Sequence, residues 1–248
     1  MRYTRLLSLI VLASFSWAEI THAQQAVPGA GVTALNATGI TQGVNMTASG
    51  GTGTLTVGTI GGPQTDVFTN NNPLVPGAVA ISTDASSTAN IQFNSSSTVF
   101  GNIGVTQPGG PFFLGISGGN TGTTVNFLGP VFATTTNVLG TGTLNFLSGS
   151  TNITATNFAA DGIITLAANT TLIGAMTTTA GANTGTLNLG GGSTLDGAVG
   201  GAIGLRAINV VGSGVLATVT GLANTFSASL GTNTLNVNGA FTLANAGA

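Results

Sequence analysis

The stretch Thr141-Gly142-Thr143-Leu144-Asn145-Phe146 decides the fold class, because it recurs along the chain with small changes. Other copies are Thr52–Val57 (TGTLTV), Thr121–Phe127 (TGTTVNF), Thr184–Leu189 (TGTLNL) and Thr232–Val237 (TNTLNV), with weaker ones at Ile163–Leu166 and Ala207–Val210. In each copy apolar residues alternate with polar ones, which is the pattern of a strand with one buried face. Each copy is therefore predicted to be a β-strand.

The spacing of the copies predicts how the strands are arranged. The apolar-polar-apolar triplets begin at residues 125, 144, 164, 187, 208 and 235, so the steps are 19, 20, 23, 21 and 27 residues. A period near twenty is typical of stacked repeats. After each triplet come glycine-rich corners and a second apolar position, as at Ile153, Leu172, Leu195, Leu216 and Phe241. We predict an all-β fold, a right-handed parallel β-helix (solenoid) with about 20–23 residues per coil. Separate hairpins in a β-sandwich remain the alternative.

The amino terminus has the order of a secretory signal. Arg2 and Arg5 precede the apolar run Leu6–Ala18, and small residues stand at the −3 and −1 positions of a cleavage site after Ala23, with a cut after Ala18 as an alternative. Residues 1–23 are therefore predicted to be a signal peptide, and no transmembrane segment is expected after its cleavage.

Residues 24–50 are predicted to be an irregular amino-terminal entry or cap. Residues 51–248 are predicted to be β-solenoid repeats, with proline-bearing loops near 61–78 and 107–120.

Charged residues are rare and apolar residues are not. Charged residues make up 3% of the chain, against roughly 25% in ordinary soluble proteins. Apolar residues make up 42%, which is enough for a packed core. After residue 23 there is no Lys, His, Glu, Cys, Tyr or Trp, and the charged residues are Asp66, Asp84, Asp161, Asp196 and Arg206. Without clustered Lys and Arg the chain has no basic footprint for a nucleic acid partner. Without cysteine it has no disulfides.

The remaining side chains offer little acid–base chemistry. Asp161 and Asp196 each precede a glycine, which favours tight turns, and a carboxylate pair of the glycosidase kind is the weaker alternative. The stretch Gly190–Asp196 lacks the spacing of a calcium-binding repeat. Arg206 is expected to be solvated or to pair with Asp196, and a threonine ladder of the ice-binding kind is a further, weaker alternative. We therefore expect no enzyme and no catalytic, cofactor-binding or metal-binding residues.

The segments Thr141–Ala155 (TGTLNFLSGSTNITA) and Thr184–Val199 (TGTLNLGGGSTLDGAV) resemble passenger domains of type V secretion autotransporters. The closest type is the surface antigens rich in glycine, threonine and asparagine that some intracellular Gram-negative bacteria carry. The resemblance covers roughly residues 50–248 and rests on composition and period. It implies an exported, non-enzymatic, adhesin-like protein at the cell surface, at the outer membrane or outside the cell, whose partners are host or neighbouring-cell surface molecules.

Such families also carry a carboxy-terminal β-barrel. The pattern of a barrel, many segments of about ten alternating residues with aromatic girdles, is not found in the chain up to Ala248, so a truncated autotransporter is expected. The alternative function is a self-assembling extracellular structural protein that forms a fibre or matrix, since a weakly charged, β-prone chain has little to repel its own copies.

Overall fold

The computed structural model describes residues 25–28, 31–35, 44–47, 53–57, 65–68, 79–83, 89–104, 113–147 and 149–244. The predicted signal peptide, residues 1–23, lies outside the described residues. The described residues form 23 β-strands and no helix. The first eleven strands are β1 (Gln25–Pro28), β2 (Gly31–Leu35), β3 (Val44–Thr47), β4 (Gly53–Val57), β5 (Thr65–Phe68), β6 (Val79–Thr83), β7 (Asn90–Phe93), β8 (Ser96–Val99), β9 (Asn102–Ile103), β10 (Phe113–Gly118) and β11 (Thr124–Phe127).

The later strands are on average longer. They are β12 (Phe132–Val138), β13 (Thr143–Phe146), β14 (Ser150–Phe158), β15 (Ile163–Leu166), β16 (Thr171–Thr178), β17 (Thr184–Gly190), β18 (Thr194–Asp196), β19 (Leu205–Val211), β20 (Leu216–Val219), β21 (Ala223–Ser229), β22 (Thr234–Val237) and β23 (Phe241–Leu243).

The strands stack into sheets that run the length of the molecule. One sheet has ten strands in the order β2-β4-β7-β10-β12-β14-β16-β18-β20-β22, and a second has nine in the order β5-β8-β11-β13-β15-β17-β19-β21-β23. A third sheet, β1-β3-β6-β9, lies in the amino-terminal part. The strand pairings that we resolve in these sheets are parallel (for example β11 with β13 and β14 with β16). Because each turn of the chain adds one strand to each long sheet, the fold is a parallel β-solenoid, as predicted.

The register of the nine-stranded sheet follows the repeat in the sequence. Val125 pairs with Leu144, Leu144 with Ile164, Ile164 with Leu187, and Leu187 with Ile208, at steps of 19, 20, 23 and 21 residues. Ile208 then pairs with Ala228, not with Leu235. The strand that contains Leu235, β22, belongs to the ten-stranded sheet, where Leu235 pairs with Ala217. The irregular last step of the sequence repeat thus arises because one motif occurs in both sheets.

The core lies inside the coils and is built from the alternate residues of each strand. Leu144 and Phe146 are buried whereas Thr143 and Asn145 are only half-buried. Phe127 stacks on Phe146 of the next coil with ring centroids 5.1 Å apart, and Phe93 meets Phe127 edge-on at 5.7 Å. Such aromatic pairs add to the free energy of apolar burial. Stacking of coils therefore buries faces that a single coil would leave in water.

Two glycines within strands show why the stacked coils need this residue. Gly174 has φ +136° and Gly185 has φ +82°, values that L side chains rarely adopt. A Cβ at Gly174 would collide with the carbonyl oxygen of Ile153, and one at Gly185 would lie 2.5 Å from the ring of Phe158. Both coils can approach their neighbours only because these residues have no side chain.

Several predicted segments contain strands. Residues 24–50, predicted to be an entry or cap, include β1, β2 and β3, and β2 pairs with β4 along its whole length. The segment near 61–78 contains β5, and the segment near 107–120 contains β10, whereas the remaining residues of these segments are described only in part.

The apolar positions at the carboxy-terminal end are less buried than predicted. Ile153, Leu172 and Leu195 are buried, but Leu216 and Phe241 are exposed. Leu216 points outward because Ala217 and Val219 are the buried residues of β20. Phe241 lies on β23, at the edge of the nine-stranded sheet, where no further strand covers it among the described residues.

Candidate binding face

The outward residues of the nine-stranded sheet form three parallel columns, which we call the columned face. A hydroxyl-rich column contains Thr124, Thr143, Ile163, Thr186, Ala207 and Ser227. An amide-rich column lies two residues further along each strand than the hydroxyl-rich column. Its members are Thr98, Asn126, Asn145, Thr165, Asn188, Asn209 and Ser229. Because side chains in a strand alternate between faces, both columns stand on the outside of the same sheet.

The amide column is held in place by hydrogen bonds between coils. Asn145 donates from Nδ2 to Oδ1 of Asn126 at 2.9 Å, and Asn209 donates in the same way to Asn188 at 2.9 Å. Asn126 in turn donates to the hydroxyl of Thr98 at 3.4 Å. An asparagine amide has two donors and an acceptor with two lone pairs. The ladder therefore fixes the amide planes while using only part of their hydrogen-bonding capacity.

An aliphatic column borders the amide column. Each member is either the residue directly after a strand or the last residue of one, and the members are Phe100, Leu128, Leu147, Ala167, Gly190 and Val211. The backbone ladder continues through them: the N–H of Leu147 donates to the carbonyl of Phe127 at 2.8 Å, and that of Ala167 to the carbonyl of Phe146 at 2.9 Å. Phe100 is 49% exposed and Val211 is 56% exposed. The columned face therefore presents hydroxyl, amide and apolar groups side by side.

A salt bridge borders the columned face beside its hydroxyl-rich column. Arg206 forms a salt bridge through Nη1 with Oδ2 of Asp161, and its Nη2 donates to Oγ1 of Thr186 at 2.8 Å. The other carboxylate oxygen of Asp161 accepts the backbone N–H of Gly185 at 2.9 Å. The arginine was expected to be solvated or to pair with Asp196, so this pairing with Asp161 is a correction. It arises because the parallel register brings Asp161 and Arg206 together across the coil that contains Gly185.

The two aspartates that suggested a catalytic pair have separate partners. Asp161 faces Arg206 and Gly185, whereas Oδ1 of Asp196 accepts the hydroxyl of Thr220 at 2.7 Å. Asp161 lies in the corner between β14 and β15, and Asp196 ends β18 in the other long sheet. The carboxylates are thus tied to neighbouring coils and not to each other.

The ten-stranded sheet carries a shorter amide pair. Asn157 donates to Oδ1 of Asn137 at 3.2 Å and to the hydroxyl of Thr179 at 3.0 Å. Their register neighbours are Ser117 and Thr177. This pair offers a matched reference for the longer ladder on the columned face.

The carboxy-terminal end of the solenoid has a different surface. The strands β22 and β23 are the last of their sheets. A groove of about 360 Å³ there is lined by Ala228, Leu230, Leu235, Asn236, Val237 and Phe241. Leu243 is 56% exposed beside it. Among the described residues no further strand pairs with β22 or β23, so this end combines an open strand edge with apolar side chains.

Comparison of the chain with protein-family models, curated proteins and solved structures gave no match. Within the part of the chain that the structure describes, no helix is long and apolar enough to cross a membrane. In that same part, no three His, Cys, Asp or Glu side chains lie close enough together to hold a metal ion.

The aliphatic column was missed in the sequence, although its signal was present there. Each triplet of the nine-stranded sheet is followed directly by one further residue, Leu128, Leu147, Ala167, Gly190 or Val211. Two consecutive apolar residues break the alternation of a strand, so the second one has to point outward if the ladder continues. Only the register shows that these outward residues align.

Proposed function

We propose that this chain is an exported, non-enzymatic, adhesin-like β-solenoid of the autotransporter passenger type, which is displayed outside the cell and contacts its partner through the columned face. Export is supported by the order of Arg2, Arg5 and the apolar run Leu6–Ala18 ahead of a small-residue cleavage site. Display is supported by a fold in which many copies of one motif build one continuous outer surface. Repeat proteins commonly use such extended surfaces for binding.

The observation that carries this proposal is the columned face itself. Side chains that only needed to be soluble would not have to align by type, yet Asn126 pairs with Asn145 and Asn188 pairs with Asn209 in the same column. Ordered amides lose little conformational entropy when a partner binds, which raises affinity for a given set of contacts. The aspartates are bonded to Arg206, Gly185 and Thr220 instead of converging on one pocket.

Cysteine labelling in whole cells tests the proposal. The chain has no cysteine, so Asn209→Cys would provide a single thiol on the columned face, and Leu187→Cys a matched thiol in the core of a neighbouring coil. We expect a membrane-impermeant maleimide to label Asn209→Cys on intact cells, and to label Leu187→Cys only after denaturation. Labelling of Asn209→Cys only after the cells are lysed would contradict display.

A second candidate function is self-assembly into an extracellular fibre or matrix. The groove beside Phe241 and the exposed Leu243 favour it, because strand edges with apolar side chains are templates for further strands. At the opposite end of the same two long sheets, β2 and β5 are the first strands. A head-to-tail contact would therefore continue both sheets with parallel pairing, and such a contact generates filaments.

A further inference from the structure

We propose that the ligand of the columned face is an uncharged polysaccharide that lies along the solenoid axis, across successive coils. The inference rests on the proposed function and adds the chemical class of the partner. It comes from the combination of hydroxyl, amide and apolar columns on one face of the sheet.

The charge of the columned face favours a neutral ligand. Asp161 and Arg206, the charged side chains that border the columned face, form a salt bridge with each other. None of the residues that make up the three columns is charged. An anionic ligand would find no free cation here, and a cationic ligand no free carboxylate. A neutral ligand needs neither, and loses little solvation energy when it meets a neutral polar surface.

The hydrogen-bonding groups of the columned face suit a ligand that is rich in hydroxyls. Sugar rings carry hydroxyl groups that both donate and accept, and each member of the amide column is an asparagine, a threonine or a serine, which can do both. The hydrogen bond from the Asn145 amide to the Asn126 amide, and that from Asn209 to Asn188, hold the donors and acceptors in fixed directions. A ligand with repeated hydroxyls can therefore form one set of bonds per coil with little ordering cost.

The aliphatic column offers contacts for the apolar parts of a sugar. The C–H faces of sugar rings are apolar, and they pack on apolar side chains while the hydroxyls at the ring edge reach polar groups. Phe100, Leu147 and Val211 are exposed beside the amide column and offer such contacts.

The length of the columned face suits a polymer. Neighbouring strands lie ~4.8 Å apart, so the seven members of the amide column span ~29 Å along the axis. A surface of this length is suited to several sugar units of an extended chain, and the weak contact at each coil would be multiplied along it.

Surface plasmon resonance on four immobilised neutral polysaccharides (hydroxyethylcellulose, xyloglucan, galactomannan and dextran), with hyaluronan as an anionic reference, tests the inference. We expect the protein to bind at least one neutral polymer and to show no binding to hyaluronan. Asn145→Ala combined with Asn209→Ala should weaken binding about tenfold, since several hydrogen bonds are lost. The matched control, Asn137→Ala combined with Asn157→Ala, removes the amide pair of the other long sheet and should bind as the wild type does.

A second variant keeps the test decisive if the double variant is poorly folded. Val211→Glu places a charge at an exposed position of the aliphatic column and should also weaken binding. The inference is overturned if no neutral polymer binds, if only hyaluronan binds, or if both sets of amide variants lose affinity equally. Cysteine labelling of intact cells separates the two proposals, because a displayed protein that fails to bind these polymers refutes the ligand class and leaves display standing.

Discussion

Arg206 of β19 bonds to the carboxylate of Asp161, which lies two coils earlier in the chain, and its guanidinium covers Thr186 of the coil between them. Asp161 also accepts the backbone N–H of Gly185. Three coils are thus joined on one side of the columned face. The side chains of Arg206 and Asp161 are 40% and 36% exposed, so solvent screens their attraction.

The first prediction separates the two roles of Asp161. Arg206→Met should lower the free energy of unfolding by about 0.5 kcal/mol, because an exposed ion pair contributes little. Asp161→Ala should cost about 1–2 kcal/mol, because it also leaves the N–H of the buried Gly185 without its acceptor. Thermal unfolding followed by circular dichroism measures both. Equal losses for the two variants would show that the bond to Gly185 contributes nothing.

The second prediction concerns the aromatic stack in the core. Phe127 is 1% exposed and touches both Phe93 and Phe146. Phe127→Ala should therefore lower the free energy of unfolding by about 3–5 kcal/mol, through lost burial and the cavity left behind. Phe100→Ala removes the same side chain from the outer surface and should change it by less than about 0.5 kcal/mol. Chemical denaturation would refute the core assignment if Phe100→Ala were the more damaging of the two.

The third prediction concerns buried hydroxyls. Thr156 is fully buried, and its Oγ1 has no hydrogen-bond partner. Thr156→Val keeps the shape and removes an unsatisfied polar atom, so it should stabilise the protein by about 1 kcal/mol. Thr225 is equally buried, but its hydroxyl contacts the carbonyls of Leu205 at 3.1 Å and Ser227 at 2.9 Å. Thr225→Val should therefore destabilise, and melting temperatures that move in the same direction for both variants would contradict this assignment.

The fourth prediction tests head-to-tail assembly. If the carboxy-terminal end binds a second copy, the sedimentation coefficient of the wild type should rise with concentration. Phe241→Lys combined with Leu243→Lys should abolish this rise, because charges on an exposed edge oppose strand addition. Phe100→Lys, an equally exposed position away from that end, serves as the control. Assembly that is lost in Phe100→Lys but kept in the double variant would place the contact elsewhere.

The sequence predicted the strands of the nine-stranded sheet well, because alternation and a period near twenty are local features. Leu144, Ile164, Leu187 and Ile208 align in the structure as they do in the repeat. The motif at Thr232–Val237 was placed in the wrong sheet, since the same alternation satisfies either sheet. The length of the corners before the motif decides to which of the two sheets it belongs.

The bond between Arg206 and Asp161 and the aliphatic column could not be predicted. Both depend on which residues face each other across coils of 19 to 23 residues. A shift of one residue in a corner would move Arg206 away from Asp161 and would turn Leu147 inward, because the side-chain period of a strand is two. Register of this kind is fixed by the packing of the whole stack.

The central claim is that the outward columns stay in register over seven strands of the nine-stranded sheet, from β8 to β21, and form one continuous face. Spin labels on Thr98→Cys and Ser229→Cys test it directly, because these positions end the amide column and the chain has no other cysteine. Double electron–electron resonance should give a single narrow distance near ~29 Å, and labels on Asn126→Cys and Asn209→Cys, four strands apart, should give ~19 Å. A broad distribution, or equal distances for the two pairs, would contradict the account.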